Sequence, residues 1–294
     1  MGLQAGSTES ASILPVKLFI RGLLISFRKA ASGNHPGAML RLGKACLNAE
    51  FGMPSTQLVT VEGVNWLKRA VEAATPLYPN APYELALLHE YGYKDVVFPD
   101  EAYAIQLFAK AADLGHSEAA YRLGEAYEYG RMGCPEDPAL SVHYYSLAAR
   151  GGNPAAMLSL CAWYLMGADG VFEKSEDEAF AWAHRAAELG LAKAEFATGY
   201  FLERGVGCRR DGLEAWKYYV RAADHGDERA VSRLRAGKEV NADRGTLASA
   251  VVAESSRWSG SDGDAVGSKS WPQKARLDLD EDPKPTKEKD CIVM

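Results

Sequence analysis

His116–Gly152 reads HSEAAYRLGEAYEYGRMGCPEDPALSVHYYSLAARGG, and this stretch decides the fold. In its first half Ala119, Leu123 and Tyr127 recur every fourth residue, the spacing of one helical face. Gly130 follows, where a left-handed C-cap suits glycine, and Asp137 stands where a second helix begins. The second half carries a large pair, Tyr144-Tyr145, and a small pair, Ala148-Ala149, one turn later. Large residues on one turn and small ones on the next let helices interlock. The stretch therefore predicts two antiparallel helices.

Reading outward, the same unit returns. NPAAMLSLCAWYLMGADGVFEKSEDEAFAWAHRAAELG runs from Asn153, and LAKAEFATGYFLERGVGCRRDGLEAWKYYVRAADHG from Leu191. Gly115, Gly152, Gly190 and Gly226 are equivalent points spaced by 37, 38 and 36 residues, a period that implies a solenoid of helix pairs. Two more divergent units start near His35 and Tyr78; the first has a longer inter-helix loop, about residues 51–59. A small residue follows the core leucine position each time: Gly43, Ala86, Gly124, Cys161, Gly199. Glycine inside a helix costs about 1 kcal/mol against alanine, so its recurrence predicts a close approach of the partner helix. Gly92, Gly167 and Gly205 repeat the expected left-handed cap, and Asp100 and Asp177 the helix start.

Residues 15–33 read as an amphipathic helix, half a repeat capping the stack, after a disordered stretch over 1–14. Lys17, Arg21 and Arg28 break its apolar run, which argues against a signal peptide or a span. The solenoid, five helix pairs and a C-terminal capping helix, is assigned to residues 34–240. From residue 241 to 294 the composition turns to Ser, Gly, Asp, Lys and Pro, that of a disordered tail. Residues 237–294 hold nine Lys/Arg and eleven Asp/Glu, so the tail is nearly balanced, and Trp258 and Trp271 are isolated aromatics, each a candidate docking element.

A net charge of −6 argues against a general nucleic-acid binder. The six histidines, His35, His89, His116, His143, His184 and His225, show no metal-ligand spacing. Gly205-Val206-Gly207 is an inter-helix turn rather than a phosphate loop, and Glu176-Asp177-Glu178 is a solvated helix start. Cys46, Cys134, Cys161 and Cys208 read as core or loop thiols of a reducing compartment. No catalytic set, metal or cofactor is expected, and the chain reads as a binding protein. Its candidate partner-binding positions precede the core leucine on a concave face of first helices: Arg41, Glu84, Arg122, Ser159 and Ala197.

Cys291-Ile292-Val293-Met294 forms a C-a-a-X box, in which a terminal methionine favours farnesyl on Cys291. The expected agents are protein farnesyltransferase and the enzymes that then remove Ile292–Met294 and methylate the new carboxylate. One prenyl chain gives only marginal membrane residence, so a bound partner is expected to supply a second attachment.

The pattern A-x-x-x-L-G-x-x-Y-x-x-G…A-x-x-W-Y-x-x-A-A-x-x-G resembles the Sel-one-like repeat, a relative of the tetratricopeptide repeat, over about residues 35–236. Thr198 and Leu202 replace its usual leucine and tyrosine in the last unit. The resemblance implies an all-α, right-handed α-solenoid. Repeats followed by such a tail and box resemble the fungal chitin synthase activator family. That resemblance implies a non-catalytic adaptor that binds, activates or localises the catalytic subunit of an integral-membrane chitin synthase, with septin-linked scaffold proteins as further partners. It places the chain in the cytoplasm, peripheral on the plasma membrane or secretory vesicles. The alternative is a scaffold for another membrane-associated signalling or quality-control complex.

Overall fold

The computed structural model describes residues 22–241 apart from Asp169, with residues 237–241 as backbone alone. A first helix, α1, covers residues 22–32. Five antiparallel pairs follow: α2 (Pro36–Leu47) with α3 (Gln57–Glu72), α4 (Asn80–Tyr91) with α5 (Glu101–Asp113), α6 (Ser117–Tyr129) with α7 (Pro138–Arg150), α8 (Pro154–Met166) with α9 (Glu176–Glu188), and α10 (Ala192–Arg204) with α11 (Gly212–Asp224). Helix α12 (Glu228–Asn241) closes the described stack. Each helix from α2 packs on the next, most extensively within a pair, which is the contact order of a helical solenoid. The described residues contain no β-strand beyond isolated bridges inside loops.

Capping residues set the repeat boundaries. The Nδ1 of His35 and of His116 and the Oδ1 of Asn153 accept the backbone N–H three residues on, opening α2, α6 and α8. Thr56, Asp100, Asp137, Ser175 and Asp211 cap the second helices in the same way. Thus α9 is capped by Ser175, with Asp177 in its first turn, and α3 begins at Gln57, inside the loop expected over residues 51–59. Gly130 and Gly205 adopt the expected left-handed cap. Gly92 and Gly167 differ: φ is 72° and 73° but ψ is 164° and 175°, an essentially glycine-only region. Each turns the chain into a small loop closed by a bridge, Tyr93 to Val97 or Ala168 to Phe172.

The core is one continuous row. Leu42, Leu85, Leu123 and Leu160 are buried, each worth roughly 1.5–3 kcal/mol relative to exposure, and the alanine pairs of the second helices pack beside them. The expected close approach is present at the recurring small residue. A Cβ on Gly124 would lie 2.5 Å from Cδ1 of Tyr145, and one on Gly199 would lie 3.0 Å from that of Tyr219. Thr198 sits fully buried where other repeats place leucine.

Candidate functional site

The first helices of successive repeats lie side by side, as contacts between them show. Lys44 Nζ of α2 donates to Glu84 of α4 at 2.5 Å, and Arg122 of α6 donates to both Glu90 oxygens at 2.7 Å. The amide of Asn153, at the start of α8, donates to Glu118 of α6 at 3.0 Å. Tyr83 stacks on His116 with centroids 4.3 Å apart, and Arg229 covers the Phe196 ring at 4.4 Å. The sides of α2, α4, α6, α8 and α10 turned from the core thus form one continuous surface, termed here the A-face.

Its chemistry changes along the stack. Arg41 and Lys44 give repeat 1 a cationic character, each held by a carboxylate: Arg41 by Glu50 at 2.6 Å and Lys44 by Glu84. Repeats 2 and 3 concentrate carboxylates and tyrosines. The hydroxyl of Tyr121 donates to Glu125 at 3.2 Å and that of Tyr129 to Glu128 at 2.6 Å. Burial, reinforced by Glu118 and Glu125, pushes the Tyr83 and Tyr121 hydroxyls up, that of Tyr83 to about 12. Burial also raises Glu128 against the hydrogen bonds from Tyr129 and Tyr145. Repeat 4 is apolar: Ser159 is the one aliphatic hydroxyl in PAAMLSLCAWYLM, which has no charged residue. Repeat 5 and the cap turn cationic again with Lys193, Arg204, Arg229 and Arg233.

The five positions chosen from the sequence share an A-face register but not an environment. Arg41 reaches Glu50 and lies 5.1 Å from the Phe51 centroid. Glu84 is bound by Lys44. Arg122 has a side chain only 16% exposed, tied to Glu90 and to the Tyr91 hydroxyl. Burial works against its charge, but those two partners hold its guanidinium above the ordinary value. Ser159 is half-buried, and Ala197, at 2% exposure, has no side chain to offer a partner. The exposed large hydrophobic residues of this face are Tyr91 and Met166, which the sequence reading passed over. The signal was available: both stand at one register position, at the C-terminal ends of α4 and α8. The Cys291 box and both tail tryptophans lie outside the described residues.

Other groups offer little chemistry. Burial raises all four described thiols, Cys46 to about 11 and Cys161 to about 12, so they are held protonated at neutral pH. Among the described residues no group of three or more His, Cys, Asp or Glu is placed to hold a metal ion. A cleft of about 350 Å³ between α9 and α11 is lined by Phe180, His184, Arg185 and Tyr218. Its Tyr218 hydroxyl is already engaged with His184 Nε2 and Glu188, each at 3.0 Å. No described helix is long and apolar enough to cross a membrane.

The Sel1 repeat pattern matches five consecutive segments, residues 36–74, 79–116, 117–153, 154–191 and 192–227, each one helix pair of the structure. The chain belongs to the Sel1 repeat family. This Sel1-repeat chain is 50% identical over 212 residues to the chitin synthase regulator SKT5 of Saccharomyces cerevisiae, covering 72% of itself and 30% of that protein. It is 52% identical over 188 residues to the chitin synthase regulator SKT5 of Malassezia restricta, covering 64% of itself and 13% of that relative. The chain thus spans about a third or less of the length of these relatives. A solved Sel1 repeat protein from Oxalobacter formigenes superimposes with a TM-score of 0.60 at 28% identity, over 72% of this chain and 58% of that one.

Proposed function

We propose that this Sel1-repeat chain is a non-catalytic adaptor that binds and regulates a membrane chitin synthase, with its A-face as the docking surface. The observation that carries this reading is the 50% identity over 212 residues to a named chitin synthase regulator. Activation and localisation of the enzyme are the two forms regulation takes here. The partner-binding part of the A-face is centred on repeats 2 to 4, which carry Glu84, Arg122 and the exposed Tyr91 and Met166.

The second half of the proposal is a farnesyl group on Cys291, added by farnesyltransferase and matured by C-a-a-X-processing enzymes. It holds the chain weakly at the cytosolic face of the plasma membrane or of secretory vesicles, and the synthase provides the second attachment. Septin-linked scaffolds are then the expected route to division sites. The test is co-purification of the full-length chain from detergent-solubilised fungal membranes, with bound proteins identified by mass spectrometry. Enrichment of a chitin synthase over a repeat-scrambled control supports the adaptor role; recovery of a different membrane complex overturns it. Fractionation of Cys291→Ser tests the lipid separately: unchanged membrane association removes the lipid from the account.

A further inference from the structure

The A-face of repeats 2 to 4 is an apolar strip in an acidic frame. Tyr91 is 64% exposed and Met166 49% exposed; half-buried Leu87 lies one turn before Tyr91 on α4, and half-buried Tyr129 holds the same register position on α6. Helix α8 carries no charged residue, and Met166 at its C-terminal end is its one exposed side chain. Its Trp163 Nε1 is buried and has no hydrogen-bond acceptor among the described residues. Around the strip stand Glu84, Glu90, Glu118, Glu125 and Glu128, against three cations, Lys44, Arg122 and Arg131, the last 4.8 Å from the Tyr129 ring centroid. The surface therefore fits a segment with several cations, an aromatic anchor and no acid.

One stretch of this chain has that composition. Residues 265–277 read AVGSKSWPQKARL, with Lys269, Lys274 and Arg276 around Trp271 and no carboxylate between Asp264 and Asp278. The other basic run of the tail, Lys284 to Lys289, has Glu288 within it and no aromatic. Reach is not limiting. Lys269 is 28 residues beyond Asn241, and 28 residues span up to about 90 Å when extended. Three helix-to-helix steps of about 10 Å each separate α12 from α6.

We infer that residues 265–277 dock intramolecularly on the A-face of repeats 2 to 4, with Trp271 on the apolar strip and Lys269 and Lys274 against the carboxylates of α4 and α6. A docked tail covers this face until a competing ligand displaces it. The inference stands on charge and apolar complementarity within the chain and holds whether or not a chitin synthase uses the same surface.

The test is zero-length carbodiimide cross-linking of the purified full-length chain, read by mass spectrometry, with an equal mixture of ¹⁴N- and ¹⁵N-labelled protein. The expected products join Lys269 or Lys274 to Glu84, Glu118 or Glu125 within one isotopic chain. They are lost in 0.5 M salt, which is about the strength that screens such pairs. They are also lost when Trp271→Ala is combined with Arg276→Ala, two substitutions that leave the cross-linkable lysines and the solenoid intact. Absence of these products in the wild type, survival in the double variant, or mixed-isotope products alone each overturns the proposal; the last would mean that the face is filled by a second copy.

Discussion

The hydroxyl of Tyr145 donates to Glu128 Oε2 at 2.5 Å from a ring that lies directly over Gly124. The same triplet returns two repeats later, where Tyr219 lies over Gly199 and donates to Glu203 at 2.7 Å. In the intervening repeat all three positions change together, to Cys161, Ala183 and Leu165. In repeat 2 they are Ala86, Phe108 and Glu90; the phenylalanine has no hydroxyl, and Glu90 instead binds Arg122 of the next repeat. The volume removed from the first helix is thus restored on the second, and the carboxylate is present wherever a donor reaches it.

This exchange is testable as a coupling. Gly124→Ala alone forces the Tyr145 ring to move and is expected to cost about 1–3 kcal/mol in urea unfolding. The triple change Gly124→Cys, Tyr145→Ala and Glu128→Leu installs the repeat-4 set. Its loss should be clearly smaller than the sum of the three single losses, because the residues share one cavity. Simple additivity would show that the three positions are not a unit.

The two tyrosine-bound carboxylates should titrate in opposite directions from the ordinary 4.5. For Glu128 burial dominates and raises the value. Its ionised form opposes folding at neutral pH, and that cost is relieved as pH falls through the raised value. For Glu203 burial is outweighed by hydrogen bonds from Arg233 and Tyr219, which lower the value. Its contribution is present above 4.5 and is lost as pH falls through the lowered one. Carboxyl-carbon NMR titration should place the Glu128 midpoint above that of Glu203; the reverse order would contradict the geometry.

His116 is expected to make the stack acid-sensitive. Its Nδ1 accepts from Ala119 N at 3.1 Å, which requires an unprotonated nitrogen. Burial lowers its value below 6.5 against the pull of Glu84. The unfolded chain then takes up the proton first, so the stabilisation is full above 6.5 and declines as pH falls from there toward the lowered value. His116→Asn copies the Asn153 cap and should flatten this component while keeping neutral-pH stability; His89, also lowered by burial, leaves a residual slope. His116→Ala should cost about 1 kcal/mol. Unfolding free energies at pH 7.5 and 5.5 check both.

Glu195 is fully buried where the preceding repeat has Met157, and it binds Arg221 Nε at 3.1 Å and His225 Nδ1 at 2.7 Å. Arg221→Met removes one partner of a buried charge and should cost about 2–3 kcal/mol, moderated by the partial exposure of the arginine. Adding Glu195→Met should recover most of that loss. A double variant as unstable as the single would show that Glu195 is supported by other groups.

Much of the solenoid was legible because its evidence is periodic. Leu123, Leu160 and the alanine pairs announce their faces by spacing alone, and Gly124 stands out as a costly residue in a helix. The capping role of His116 was less visible, because histidine declares itself a cap only when its Nδ1 is seen on Ala119 N. The A-face was harder still. Arg122 and Ala197 share a register position, yet one is tied into an ion pair and the other is buried by its neighbours, which depends on side chains two helices away. Tyr91 and Met166 appear as one strip only when successive first helices are set side by side.

The central claim is tested most directly by measuring binding of the purified full-length chain to a chitin synthase in lipid nanodiscs. The wild type should bind. Glu118→Lys with Glu125→Lys on the A-face should weaken binding by about tenfold or more, a loss of about 1.4 kcal/mol. Leu213→Ala, on the exposed start of α11, should leave it unchanged. No binding by the folded wild-type chain, or equal binding by the charge-reversed one, would contradict the account.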